Sequence, residues 1–77
     1  MLELTKYIVE QLVDDKSAIE VTSTTDEQGT ETISIRVAEN DIGKVIGKQG
    51  KIAMSIRTLA KAVGIREGKR YNIEIVD

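Results

Sequence analysis

Ile42-Gly43-Lys44-Val45-Ile46-Gly47-Lys48-Gln49-Gly50-Lys51-Ile52 is the stretch on which the reading turns. Ile42, Val45 and Ile46 fall at i, i+3 and i+4, which predicts a short helix of one to two turns. Asn40 or Asp41 can cap its start with a side-chain oxygen. Gly47-Lys48-Gln49-Gly50 interrupts that helix. A longer one is predicted over Lys51–Val63, with Ile52, Ile56, Leu59, Ala60 and Val63 on its buried side and Gly64 as a left-handed C-terminal cap. Two helices joined by Gly-x-x-Gly form a candidate anion-binding turn. Glycine at both ends lets the backbone turn tightly and leaves no Cβ to hold a ligand away. The free N–H groups and the dipole at the start of the second helix favour a phosphate. Lys48 lies inside the loop, and Lys44 and Lys51 flank it. Three cations around an approachable backbone suit a sugar-phosphate chain better than a single small anion. Arg57 and Lys61, spaced i, i+4, extend a basic stripe along the second helix.

Moving outward, residues 2–14 read as a helix with Leu4, Ile8 and Leu12 in one apolar stripe and Val9 and Val13 beside it. Asp14, Asp15 and Ser17 end it. Ile19 and Val21 alternate with Glu20 and Thr22, a strand that Ser23-Thr24-Thr25 prolongs. Asp26-Glu27-Gln28-Gly29 supplies turn chemistry. Ile33, Ile35 and Val37 then alternate with Thr32, Ser34 and Arg36, so the two strands form a hairpin. Gly68 marks another turn, and Tyr71, Ile73 and Ile75 alternate in a last strand. The order is α-β-β-α-α-β, an α+β fold in which helices cover one face of a three-stranded sheet.

The composition narrows the chemistry. A chain of 77 residues can bury about 60% of its unfolded surface and build one small core. It contains no cysteine and no histidine. That removes disulfides, thiolate metal sites and Ser–His or Cys–His nucleophile systems. The two aromatics, Tyr7 and Tyr71, are too few for a base-stacking platform. No apolar run reaches membrane-spanning length and the N-terminus lacks a signal-peptide pattern, so a cytoplasmic domain is expected. The net charge of −2 hides an asymmetry. Residues 1–43 hold three basic and ten acidic side chains, whereas 44–70 hold eight basic and one acidic, Glu67. A basic patch on an acidic body is the electrostatic footprint of a polyanion site. The acidic residues Asp14, Asp15, Glu20, Asp26, Glu27 and Glu31 match no calcium-loop spacing. They are read as solubilising charge, and neither a metal nor a cofactor is expected.

Other glycine motifs fit less well. From Gly43 to Gly47 the spacing is one residue short of a Walker A loop, and Gln49 stands where a hydroxyl should meet Mg²⁺. Val45 occupies the first glycine of a dinucleotide fingerprint, and the loop lies between helices rather than after a strand.

The run Ile42–Gly50, followed by a helix containing Ile56-Arg57-Thr58-Leu59, resembles the KH domain. A KH Gly-x-x-Gly loop clamps the backbone of about four nucleotides. A helix and a strand ahead of the β-α-α-β core resemble the type II, bacterial arrangement. On this reading residues 1–77 are one KH domain, with 1–31 as N-terminal helix and first strand and 32–77 as core. The chain is also similar to the small stand-alone bacterial KH proteins. That likeness implies an RNA chaperone that pairs with a larger Jag-type KH protein, with a link to cell elongation and cell-wall homeostasis. It departs from the usual pattern at one position: Ala53 stands three residues after the second glycine, where an aliphatic side chain is usual. This bears on base preference.

The resulting expectation is non-enzymatic binding of single-stranded RNA, the loop holding the backbone and a groove between the Gly-x-x-Gly helices and one sheet edge accepting the bases, with Gly43, Lys44, Ile46, Gly47, Lys48, Gln49, Gly50, Lys51 and Arg57 at the interface. Ile42, Val45 and Ile46 pack chiefly in the core. Arg36, Arg66, Lys69 and Arg70 are rim charges without a specific signal. The rival is a protein-interaction module using the same groove or the sheet, against which the basic loop speaks. One phosphate-gripping loop without stacking aromatics implies modest affinity. A homodimer, or a heterodimer with a larger KH-containing RNA-binding protein, would raise it through effective concentration.

Overall fold

The computed structural model describes residues 1–76. Helix α1 spans Leu2–Leu12, strands β1 and β2 span Glu20–Thr25 and Thr30–Arg36, and helix α2 spans Ile42–Ile46. Helix α3 follows over Lys51–Glu67 and strand β3 over Arg70–Val76. The expected element order holds. The sheet order is β1-β2-β3, with β1 antiparallel and β3 parallel to the central β2. A parallel return requires a crossover, and α2 with α3 provides it.

The hairpin turn is built by Asp26. Its carboxylate accepts from the N–H groups of Gln28 and Thr30, both at 2.9 Å. This places Val21 opposite Ile35 and Ser23 opposite Ile33. Ile33 and Ile35 of the central strand are fully buried, together with Val9 of α1 and Val45 of α2; Ile56, Ala60 and Ile73 complete the core.

Helix α1 stops at Leu12, two residues earlier than expected, because Val13 is already extended. Its innermost line is Thr5, Val9 and Val13, while Leu4 stays 39% exposed. The expected stripe is divided between two neighbours. Ile8 and Leu12 face α3 across an apolar furrow shared with Ile52, Ile56 and Leu59.

Helix α3 is longer than expected and its buried face is rotated. Ala53, Ile56, Ala60 and Gly64 line the inner side, whereas Leu59 remains 38% exposed and Val63 half-buried. Small side chains let the helix lie close to the chain entering β3. A Cβ on Gly64 would stand 2.4 Å from the Lys69 carbonyl oxygen, so Gly64 is a packing residue inside the helix. The left-handed cap is Gly68, with φ 66°. The N–H groups of Gly68 and Lys69 donate to the carbonyls of Ile65 and Gly64, a Schellman closure.

Candidate nucleic-acid interface

Helix α2 ends when the Gly47 N–H donates to the Gly43 carbonyl at 2.8 Å. The chain then makes a single tight turn. Gly47 has φ 78° and ψ 171°, Gln49 has φ 59° and ψ 24°, and Gly50 has φ 74° and ψ 13°. The Gly50 N–H closes the turn on the Gly47 carbonyl at 3.1 Å. Gly47 occupies a backbone region that side chains essentially exclude. It also has no room for one, since an added Cβ would stand 2.5 Å from Cγ1 of Ile52. Ala53 is buried, and the neighbouring Ile52 packs against the loop's first glycine. Gln49 is the one described non-glycine residue with positive φ, a left-handed conformation that costs roughly 1–2 kcal/mol. The turn presents Lys48 and Gln49 to solvent and opens directly into α3, whose N-terminus carries no side-chain cap.

The expected site residues take different places. Lys48 and Lys51 are exposed, and their ammonium groups make no hydrogen bond or ion pair among the described residues. Gly43 is exposed with open space where a Cβ would stand, and Ile46 is half-buried beside it. Lys44 is already engaged. Its ammonium bridges Asp14, just beyond α1, and Asp41, at 3.0 Å.

Asp41 is the hub of this arrangement and is only 2% exposed. The expected cap on α2 is absent, and neither Asn40 nor Asp41 bonds a helix N–H with its side chain. The Asp41 carboxylate instead accepts from the Asp15 N–H at 3.0 Å and from Lys44, because a buried carboxylate needs donors from whichever element packs against it. The Asp15 N–H, followed by the Lys44 ammonium, holds the Asp41 carboxyl below its ordinary value. Asp14, followed by Asp41, raises Lys44. Two residues of the acidic half thus tie the loop-bearing helix to α1.

Arg57 lies two turns along α3 from the loop, and its Nε donates to the Ile73 carbonyl on β3 at 3.4 Å. β3 is an edge strand, so this contact lies on its unpaired side. An open groove of about 560 Å³ runs here between the helix residues Arg57, Lys61 and Ile65 and the strand residues Tyr71, Asn72 and Ile73. The Tyr71 hydroxyl donates to Glu67 at 2.5 Å, and this contact raises its pKa. Lys69 pairs with Glu31, which also accepts from Ser23 Oγ at 2.7 Å; Lys69 lowers Glu31 and is raised by it. The sequence predicts a groove against one sheet edge without saying which edge. Alternation assigned Tyr71 and Ile73 to a strand, but only the parallel pairing with β2 puts that strand at the sheet edge beside α3.

A mixed three-stranded sheet, helices on one face and a Gly-x-x-Gly turn between the two crossover helices together define a type II KH fold. The chain matches the family described as KhpA/KhpB, KH domain, over residues 3–75. A protein of Caldanaerobacter subterraneus subsp. tengcongensis named RNA-binding protein KhpA is 49% identical over 76 residues, 99% of this chain and 100% of that one. The Clostridium acetobutylicum protein of that name is 43% identical over the same shares of both chains. The one from Treponema pallidum is 45% identical over 97% of this chain and 92% of its own. Among solved structures, Aquifex aeolicus Era bound to GDP.AlF4- superposes with a TM-score of 0.58 at 19% identity, over 96% of this chain and 28% of that one, which supports the fold alone. The chain belongs to the KhpA/KhpB KH-domain family, a family of binding proteins and not of enzymes.

Proposed function

We propose that this protein binds single-stranded RNA, with the Gly47–Gly50 turn gripping the sugar-phosphate backbone. The carrying observation is that turn. Its positive-φ backbone leaves the start of α3 open to a ligand, and two uncommitted cations, Lys48 and Lys51, stand beside it. Phosphate is the ligand that oriented N–H groups and adjacent ammonium groups favour. Gly43 and Ile46 form the floor next to the turn. Arg57 and the free edge of β3 at Tyr71–Ile73 form the far wall, where backbone groups and a guanidinium meet bases. Aliphatic packing and hydrogen bonds, not aromatic stacking, read the bases. The relatives' names as RNA-binding proteins support the reading.

Lys48→Asp with Gln49→Asp tests it. Both positions are exposed, and aspartate tolerates the left-handed conformation at 49. The fold survives, while two carboxylates repel the phosphate. Single-strand gel shifts with matched circular dichroism read the result, and equal binding by variant and parent refutes the assignment.

Modest single-site affinity also implies a second module. A homodimer, or a heterodimer with a larger KH-containing RNA-binding protein, supplies it, and the family description that joins KhpA with KhpB supports the latter. In this role the protein acts in the cytoplasm as an RNA chaperone or post-transcriptional regulator. The family resemblance extends that role to cell elongation and cell-wall homeostasis. Light scattering at micromolar concentration and pulldown from native cytosol test the association; a strict monomer that captures no RNA-binding protein yet binds short RNA tightly opposes it.

A further inference from the structure

Lys44 lies close to Gly47 in the chain, yet its ammonium is directed away from the turn. Both of its carboxylate partners lie at or before the start of α2. Asp41 is one helical turn back, at 3.0 Å, and Asp14 stands just beyond α1. Side chains on a helix lean toward its N-terminus, whereas the Gly47–Gly50 turn follows the C-terminal end of α2. The exposed ammonium groups nearest the turn are those of Lys48 and Lys51.

Helix α2 has little support of its own. It has 5 residues, too few to hold a helix without tertiary contacts, and it begins without a side-chain cap. Val45 is the buried residue that anchors it in the core. Its first turn is fixed by Asp41, whose carboxylate takes the Asp15 N–H at 3.0 Å and the Lys44 ammonium. Lys44 adds a second link, to Asp14, 30 residues away in the chain. At the other end the Gly47 N–H closes on the carbonyl of Gly43, the neighbour of Lys44. A displacement of α2 at the Lys44 links therefore passes straight to Gly47. There the backbone, at φ 78° against the Ile52 side chain, has no slack to absorb it.

Resting on the RNA-binding reading, we propose that Lys44 is a positioning residue for the RNA clamp: held by Asp14 and Asp41, it sets the placement of α2 and of the Gly47–Gly50 turn, and it lends no charge to the phosphate. Asp14 and Asp41 accordingly support the binding of a polyanion that their charge alone would oppose.

Fluorescence anisotropy of the full chain, with labelled eight-nucleotide oligouridylate and oligoadenylate over a range of salt, tests this. Lys44→Gln should weaken binding by about 2- to 30-fold, the range in which residues without ligand contact modulate affinity. Its slope of log affinity against log salt should equal the parent's, whereas loss of a direct phosphate contact would flatten it by about 0.7. Lys44→Arg, whose guanidinium can still bridge two carboxylates, should keep the parent affinity. Asp14→Asn, at a side chain 84% exposed, keeps the fold and should bind no more tightly than the parent although it removes a negative charge. Amide hydrogen exchange without RNA reads the positioning itself. In Lys44→Gln and in Asp14→Asn the Gly47 N–H should exchange faster, by a larger factor than the N–H groups of Ile33 and Ile35, which follow global stability. A flattened salt slope or unchanged affinity in Lys44→Gln overturns the proposal, as does Lys44→Arg binding no better than Lys44→Gln. Tighter binding by Asp14→Asn, or Gly47 exchange that rises no more than that of the central strand, overturns it too. Unchanged binding by Lys48→Asp with Gln49→Asp refutes the clamp instead, and the exchange measurement, which uses no RNA, is independent of that result.

Discussion

The two loop glycines should differ sharply in what they tolerate. Gly50 has a left-handed backbone and open space around it. Alanine there loses roughly 1 kcal/mol to backbone strain. It recovers about 0.4–1 kcal/mol because the unfolded chain has less freedom to lose, so the net effect is small. Gly47 faces two penalties. Its φ and ψ fall in a region reserved for glycine, worth about 1–3 kcal/mol. An added Cβ would also meet Ile52 Cγ1 at 2.5 Å, Cβ at 2.8 Å and Cδ1 at 2.9 Å. Ile52 is β-branched and sits in a helix, so it has essentially one rotamer and cannot swing aside. Such overpacking costs about 1–3 kcal/mol more. After the same unfolded-state recovery, Gly47→Ala should lose about 1–5 kcal/mol, a large share of the roughly 4–12 kcal/mol expected of a domain this size. Urea unfolding followed by circular dichroism measures both variants. Ile52 packs against the core, so Ile52→Ala has its own cost, but it removes Cγ1 and Cδ1 from the clash, and the double variant should lose less than the sum of the two single variants. A Gly47→Ala variant no less stable than Gly50→Ala, or a double variant whose losses simply add, would refute this account of the loop.

Further outcomes follow from the charges and the core. If Lys48 and Lys51 each neutralise one phosphate of a short RNA, log affinity should fall against log salt with a slope of about −1.4, from about −0.7 per contact; a salt-independent affinity points to an apolar binding groove. The Asp41 carboxyl, held low by the Asp15 N–H and by Lys44, takes up its proton at a lower pH in the folded chain than in the unfolded one. Its contribution to stability is complete above the ordinary aspartate value of about 4 and is lost as pH falls through the folded value, so Asp41→Asn should flatten the acid side of the urea midpoint against pH. An acid limb of unchanged steepness in that variant contradicts the hub role. Thr5 Oγ1 is fully buried without a hydrogen-bond partner among the described residues, so Thr5→Val should stabilise the protein by about 1 kcal/mol and raise the melting temperature by roughly 4–8 °C; a lower melting temperature would show that the hydroxyl is satisfied.

Local chemistry made most of the architecture legible. The i, i+3, i+4 spacing of Ile42, Val45 and Ile46, the period-two alternation around Ile33 and Ile73, and the Asp26–Gly29 turn each depend on a few neighbouring residues, and each element forms where those residues place it. The Gly-x-x-Gly turn belongs to the same class, because its backbone demand is written in the two glycines themselves. Choices among equivalent faces and partners were not legible. Leu4 and Thr5 are adjacent on α1, and only the sheet beneath decides that Thr5 is buried and Leu4 left out. Gly64 and Gly68 are both plausible helix ends, and the close approach of the Lys69 carbonyl makes the first a packing residue and the second the cap. Lys44 reads as a free cation beside the loop until Asp14 and Asp41, 30 and 3 residues away, close on it. The β3 edge beside Arg57 exists only once β3 has paired in parallel with β2. Periodicity and turn chemistry are properties of a short window of chain; burial, ion pairing and edge position depend on residues far apart in sequence and are decided only when the elements pack.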